Sequence, residues 1–403
     1  MTFIQSRAKR LSTVQIVTFG AFVAGLHFYL PVYVFFLQGR GLNLFDVNLL
    51  QIASVASQFI AEVPTGILGD RFGRKRSVVI GLVLMGISEA SMLVATSLWH
   101  FIALQVVLGF GFAFISGSQQ ALVIDSLPRD LPDRDAQVKR ALGRLSAAQQ
   151  IGFVISFALA GLLFPDTQLA RYMIPIAMTA GMLWLAALIV SFAREPQTHA
   201  ETHAHTSSLL LLKSSVKLLR DDRAFCRVVL LSIFASSFGT YWIALYQPFL
   251  ARANVPAAWF GPALALGTLL AAGVNANIER IERRLPRKHA LLMLTALPGV
   301  LYVLMALPHG AASALALFVA QYATMNAASP LLGAVANARI DPRYRATALS
   351  LMSLLTTLYL AVAGVPIGAL AEWSLPALFA VMGLVIIVNA VVFRINPDAQ
   401  NQI

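Results

Sequence analysis

Gly66-Ile67-Leu68-Gly69-Asp70-Arg71-Phe72-Gly73-Arg74-Lys75-Arg76 is a short, glycine-hinged and strongly basic stretch set between two apolar runs, 47–68 and 77–96. Each run is long enough to cross ~30 Å of hydrocarbon as a helix rising about 1.5 Å per residue, so the stretch predicts a tight turn at a membrane surface. Arg71, Arg74, Lys75 and Arg76 place that surface on the cytoplasmic side.

Composition gives the same setting. Of 403 residues, 58% are hydrophobic and 12% charged, with a mean hydropathy of +0.74, whereas a soluble domain carries about a quarter charged residues. The formal charge of +12 is scattered through short loops and forms no contiguous patch. That pattern argues for orientation in an anionic bilayer and against a nucleic-acid partner. The single cysteine, Cys226, excludes an internal disulfide and a cysteine metal cluster. Arg7, Lys9 and Arg10 precede a run that imitates a signal peptide. That run exceeds the ~7 to 15 residues of a cleavable core, so it reads as the first retained membrane helix.

Apolar segments fall at 13–37, 47–68, 77–96, 99–123, 145–164, 171–193, 226–250, 257–278, 289–307, 311–337, 346–370 and 375–393. With both termini cytoplasmic, every Arg and Lys except Arg40, Arg171 and Arg252 falls in a cytoplasmic loop or tail. The expected fold is an all-α integral membrane protein with twelve transmembrane helices in two pseudo-symmetric six-helix bundles. The bundles occupy 1–193 and 226–403, with a cytoplasmic linker at 194–225. Lys213 and Lys217, four apart in an apolar run, predict a short interfacial helix in that linker. His199, His203 and His205 offer a metal site or a solvated linker; the second fits the polar surroundings better, and no metal or cofactor is expected. Gly73-Arg74-Lys75 is echoed by Pro286-Arg287-Lys288, and Asp125 and Pro128 by Arg339 and Pro342. The offset is about half the chain, as duplicated bundles leave behind.

Enzyme motifs of the G-x-x-x-x-G-K-[ST], G-x-S-x-G and H-E-x-x-H types do not occur. The chemistry is therefore sought in polar groups set in hydrocarbon, which cost about 2.5 to 3.5 kcal/mol per charge at a helix centre and mark function. Glu89 lies midway along the third segment, as a candidate proton carrier or as a neutral carboxyl bonded to Ser88, Ser91 or a backbone carbonyl. Glu62 sits one turn before the basic stretch, beside Pro64, where it could carry a proton or pair with a cation such as Arg144. Asp125 closes the fourth segment as a further carrier candidate.

Gly66, Leu68, Asp70, Arg71, Gly73, Arg74 and Lys75 stand at the spacing G-x-L-x-D-R-x-G-R-K. This resembles the signature loop between helices 2 and 3 of the major facilitator superfamily of secondary transporters. A second resemblance is Arg345-Ala346-Thr347-Ala348-Leu349-Ser350, similar to the R-A-T-x-L-S that opens helix 11 in bacterial exporter-like members. The resemblance implies alternating access, with the site near mid-membrane. It implies a conformational latch in which Asp70 meets the helix beginning at Arg345, with Gly66, Gly69, Arg71, Gly73, Arg74 and Lys75 shaping the loop. An anion near a helix N-terminus is favourable in any case.

In that family helices 1, 4, 7 and 10 line the cavity, so His27 becomes a proton or substrate contact, or a hydrogen-bonded packing residue. Tyr33, Gln105, Gln120, Phe238, Tyr241, Trp242, Gln321 and Asn326 complete the substrate-contact candidates. The fourth segment keeps the frame of R-x-x-x-G-x-G-x-A, with Gln105, Gly109, Gly111 and Ala113, but lacks the arginine of drug antiporters. Phe234, Phe238, Tyr241, Trp242 and Tyr246 recur at helical spacing, which suits an apolar ligand and also suits helix packing. Without paired intramembrane cations, a strongly anionic substrate is disfavoured. The expected function is proton-coupled efflux of a small neutral or cationic, moderately apolar compound. The alternatives are symport uptake of an uncharged or zwitterionic nutrient and a transporter-like scaffold. The expected setting is a bacterial inner membrane, as a monomer whose partners are substrate, proton and lipid.

Overall fold

The computed structural model describes residues 12–128, 133–163, 169–196, 230, 240–277, 287–339 and 345–393, with backbone alone at 169–171, 287–291, 293–294, 326–339, 345–351 and 353–354. All regular structure among the described residues is helical. The helices are α1 (Thr13–Ala24), α2 (Tyr33–Gly39), α3 (Leu44–Phe72), α4 (Arg74–Met92), α5 (Leu98–Ile115), α6 (Ser118–Asp125), α7 (Arg134–Leu163) and α8 (Leu169–Ser191). They continue as α9 (240–252), α10 (Phe260–Ala276), α11 (Arg287–Met305), α12 (Ala311–Arg339), α13 (Arg345–Trp373) and α14 (Leu375–Val392). Among the described residues, seven helical stretches are long and apolar enough to cross a membrane. Phe238, Cys226, His199, His203, His205 and the expected linker helix lie outside the described residues.

The expected boundaries hold to within a few residues for most segments, with three corrections. The basic stretch is not a long turn: α3 runs through Pro64 to Phe72, and α4 starts at Arg74. Gly73 alone makes the break, at φ 105 and ψ 140. Only glycine adopts that conformation without strain, and a Cβ there would sit 2.9 Å from the Glu195 carboxylate. Gly73→Ala should therefore lower stability by about 1 to 3 kcal/mol, read as an earlier thermal transition in detergent. An unchanged transition would contradict the assignment.

The second correction is the first segment. A continuous helix over 13–37 is expected, but the chain unwinds between Ala24 and Tyr33, with a single 3-10 turn at Leu30–Val32. Pro31 supplies no N–H, and the freed backbone groups find side chains. The His27 N–H donates to Ser156 Oγ and the Phe28 N–H to Thr179 Oγ1, both at 3.0 Å. The third is the fourth segment, which breaks at Ser116-Gly117, where Gly117 has φ 70, into α5 and α6.

Helices α1 to α8 pack mainly on one another, as do α10 to α14, and the two groups meet along α3 with α13 and α7 with α10. Glycines report where. Toward the face opposite the basic stretch, a Cβ on Gly161 would strike the Ala258 carbonyl, one on Gly261 the Phe157 carbonyl, and one on Gly364 Ile52 and the Tyr241 hydroxyl. Toward the basic-stretch face, Gly66 of α3, Gly143 of α7 and Gly273 of α10 meet nothing within 4 Å. The two groups are thus jammed together at the face opposite the basic stretch. Trp99, Trp259 and Trp373, all exposed at helix ends on the jammed face, form the belt expected at a bilayer interface.

Candidate functional site

The unwound piece of the first segment organises the polar interior of the first group. Tyr29 donates its hydroxyl to Glu89 Oε1 at 2.5 Å. Glu89 is 1% exposed, and its Oε2 has no hydrogen-bond partner. Ser88, offered by the sequence as its partner, instead donates to the Leu104 carbonyl at 2.7 Å. Tyr33 stacks edge-on against Tyr29 at 5.6 Å and accepts a hydrogen bond from Gln105 Nε2 at 3.2 Å. His27 is buried, its ring 6.4 Å from Tyr29 and 5.5 Å from Phe153, with Nδ1 unpartnered. The structure therefore brings His27, Tyr33, Glu89 and Gln105 together, and adds Tyr29.

Asp125 does not join them. Its carboxylate lies 3.2 Å from Arg74 Nε, whose guanidinium also reaches Asp70 at 3.6 Å. Asp125 thus fastens the basic stretch. Glu195, which the sequence reading passed over, accepts the Lys75 backbone N–H at 3.1 and 3.2 Å, a carboxylate at the positive end of α4. Asp70 is 70% exposed along its side chain, and the Arg345 side chain lies outside the described residues. Glu62 is exposed and makes no ion pair among the described residues; Ser116 Oγ donates to it at 3.4 Å. The proposed Arg144 partner is therefore not found.

The aromatic face of the seventh segment is turned inward. Trp242 packs against Tyr302, Phe318 and Phe379 at ring distances of 5.6 to 6.1 Å and is 1% exposed. The Tyr241 hydroxyl donates to the Leu360 carbonyl. These two residues are core rather than cavity wall, because both uses need the same helical spacing. Gln321 is fully buried and Gln120 exposed; the Asn326 side chain is outside the described set.

Sequence reasoning missed Gln247. This fully buried amide crosses between the two groups. Its Oε1 accepts the N–H groups of Val34 and Phe35 at 2.9 and 3.3 Å, orphan donors at the start of α2. Its Nε2 donates to the Leu30 carbonyl at 3.0 Å, and the Tyr246 hydroxyl donates to the same carbonyl at 2.9 Å. A polar amide followed by Pro248 in an apolar run was the available signal. Nearby, the Leu44 N–H donates to Glu372 Oε2 at 2.9 Å, tying α3 to the end of α13.

A helical membrane chain with a one-residue glycine break inside a D-R-x-G-R-K stretch, and two groups meeting through α3 with α13 and α7 with α10, has a match among known families. The sequence profile of the Major Facilitator Superfamily covers residues 17–357. The chain belongs to this superfamily. The MFS-type transporter YxaM of Bacillus subtilis (strain 168) is 21% identical over 378 residues, 92% of each chain. Multidrug resistance protein 2 of the same organism is 27% identical over 195 residues, 48% of this chain and 47% of that one. The nucleoside transporter NupG (D323A mutant) superposes with a TM-score of 0.78 at 14% identity, covering 94% of this chain and 98% of that one. The chain is thus a membrane transporter with the superfamily fold.

Proposed function

We propose that the protein is a proton-coupled efflux transporter for a small neutral or cationic, moderately apolar compound. Glu89 carries this reading: an enclosed carboxyl with one hydroxyl donor, one open oxygen and no ion pair among the described residues. An ion in hydrocarbon is expensive, so a group of this kind gains a proton or a cationic partner readily. Proton and substrate would then compete for one site, which is antiport. Similarity to Multidrug resistance protein 2 supports export. The basic-stretch face is the cytoplasmic one on the distribution of Arg and Lys, and the close backbone contacts at the opposite face fit a cytoplasm-facing state.

In this reading Asp70 is the latch of the opposite state, meeting the start of α13 when the cytoplasmic face closes. Its exposure here fits the open side. Gln105 favours a second reading: where drug antiporters carry arginine, this neutral amide is bonded to Tyr33, which keeps symport uptake as the alternative.

Everted vesicles energised by respiration and reported by a pH dye test the reading. Adding candidate drugs, metabolites and amino acids singly, one class should collapse the gradient in parent vesicles. Asp70→Asn vesicles should show at most about a tenth of that rate with normal protein level, since the exposed side chain contributes little to folding. Silence across the panel with folded protein would overturn proton antiport. Parent rates in Asp70→Asn would overturn the latch.

A further inference from the structure

Two independent anchors hold neighbouring residues of the unwound piece. Tyr29 is held from within the first group by Glu89. Leu30 is held from the second group by Gln247 and Tyr246 through its carbonyl. Gln247 also takes the N–H groups of Val34 and Phe35, so every polar atom of that amide is engaged across the interface. With no helical hydrogen-bond ladder between Ala24 and Leu30 to stiffen the piece, a shift at Tyr29 passes directly to Leu30.

We propose that this piece is the coupling element of the transporter: Glu89 and Gln247 act through adjacent residues, so that occupancy of Glu89 decides whether the far face stays locked. The proposal rests on Glu89 being the proton site. With Glu89 ionised and empty, the charge-assisted bond holds Tyr29 against α4 and leaves the Leu30 carbonyl in the grip of Gln247 and Tyr246. A proton added to the open Oε2 neutralises the carboxylate and weakens that bond. A cationic substrate at the same oxygen does so too. The lock then loosens and the bundles are free to rock. The ionised and empty state is the one an antiporter must hold still, and in this proposal it is the one in which both anchors hold.

Other titratable groups around Glu89 are few. Tyr29 and Tyr33 face it from the unwound piece and α2, and His27 stands behind Tyr29. Helix α8 contributes Tyr172 to the same apolar cluster, and α5 the neutral Gln105. Helix α3 carries its ionisable groups, Asp46, Glu62, Asp70 and Arg71, toward its ends, and the Asp125 of α6 sits with Arg74. Arg40, following α2, is bonded to the carbonyls of Leu93 and Ala95.

The test is labelling at Ile52→Cys, which lies at the far-face seam against Gly364, in a Cys226→Ser background. An impermeant thiol reagent is added outside right-side-out vesicles, and rates are normalised to the exposed Trp99→Cys. The parent rate should rise as the pH on both sides of the membrane is lowered together, because protonation loosens the lock. Gln247→Ala should raise it about tenfold or more at every pH, since buried partners are left unpaired. Tyr246→Phe, a milder change, should raise it severalfold. Tyr29→Phe should flatten the pH dependence, as should Glu89→Gln. Parent rates in both Gln247→Ala and Tyr246→Phe would overturn the lock. A parental pH step in Tyr29→Phe, with Glu89→Gln flat, would overturn the relay while leaving Glu89 as carrier. A parental step in Glu89→Gln would overturn the proton reading itself.

Discussion

Glu89→Gln should abolish substrate-driven collapse of the proton gradient while leaving the protein folded. The amide keeps an oxygen for the Tyr29 hydroxyl and fills the same space, so the bond at Glu89 Oε1 has a neutral replacement. What is lost is the exchangeable carboxyl proton at this place in the bundle. Coupled flux should fall by about a hundredfold or more, the range seen when a group that handles a proton is removed. Downhill movement of substrate without a gradient should survive and lose its dependence on pH. The wild type should change across the range in which the carboxyl gains its proton, with exchange of proton for substrate slowing once the site stays protonated. Retained coupling in Glu89→Gln would return this residue to a structural role.

Gly261→Leu should trap the transporter with its far face open. The first turn of α10 lies against α7 so closely that a Cβ would meet the Phe157 carbonyl and the Gly161 N–H. Helix backbones at that separation admit no side chain, so leucine can be housed only if α7 and α10 part. Overpacking of this kind costs about 1 to 3 kcal/mol in a state that cannot move. A rocking transporter has an alternative state in which the clash is absent, and the cost appears as a population shift of about tenfold or more toward it. Labelling at Ile52→Cys from outside should rise accordingly, and transport should fall because return to the cytoplasm-facing state is opposed. Equal labelling with full transport would mean that this glycine seam does not open during the cycle. Gly273→Leu, on the same helix where nothing lies within 4 Å, is the internal control and should leave the far face sealed.

Much of the fold was legible because hydrocarbon thickness dictates helix length. Runs such as 257–278 and 375–393 could hardly be anything but spans, and α10 and α14 lie within them. The basic stretch was legible as a boundary but not as a shape. Gly66, Gly69 and Gly73 all permit a turn, yet only Gly73 breaks the helix, at φ 105, where the Glu195 carboxylate from elsewhere in the fold accepts the Lys75 N–H and starts α4. The unwound piece at Gly25 to Leu30 was hidden for a related reason. Pro31 signals a kink, but how far the helix unwinds depends on whether Ser156 and Thr179, on α7 and α8, are there to receive the freed N–H groups.

Candidate site residues divided the same way. Glu89 stood out because a carboxyl in an apolar run is costly wherever it packs. Asp125 stood out for the same reason and belongs to the loop, since its partner Arg74 is brought to it by the fold. Trp242 and Tyr241 had the spacing of a ligand-binding face and are packed inside the second group. Gln247 was overlooked because its meaning lies entirely in the far-away backbone it satisfies.

The central claim is that one carboxyl exchanges a proton for substrate. Purified protein in weakly buffered detergent, held at a pH where Glu89 is protonated, tests it most directly. On addition of the compound that collapses the gradient in vesicles, a pH indicator should record release of about one proton per protein, and none from Glu89→Gln binding the same compound. Binding without proton release in the parent, or undiminished release from Glu89→Gln, would contradict the account.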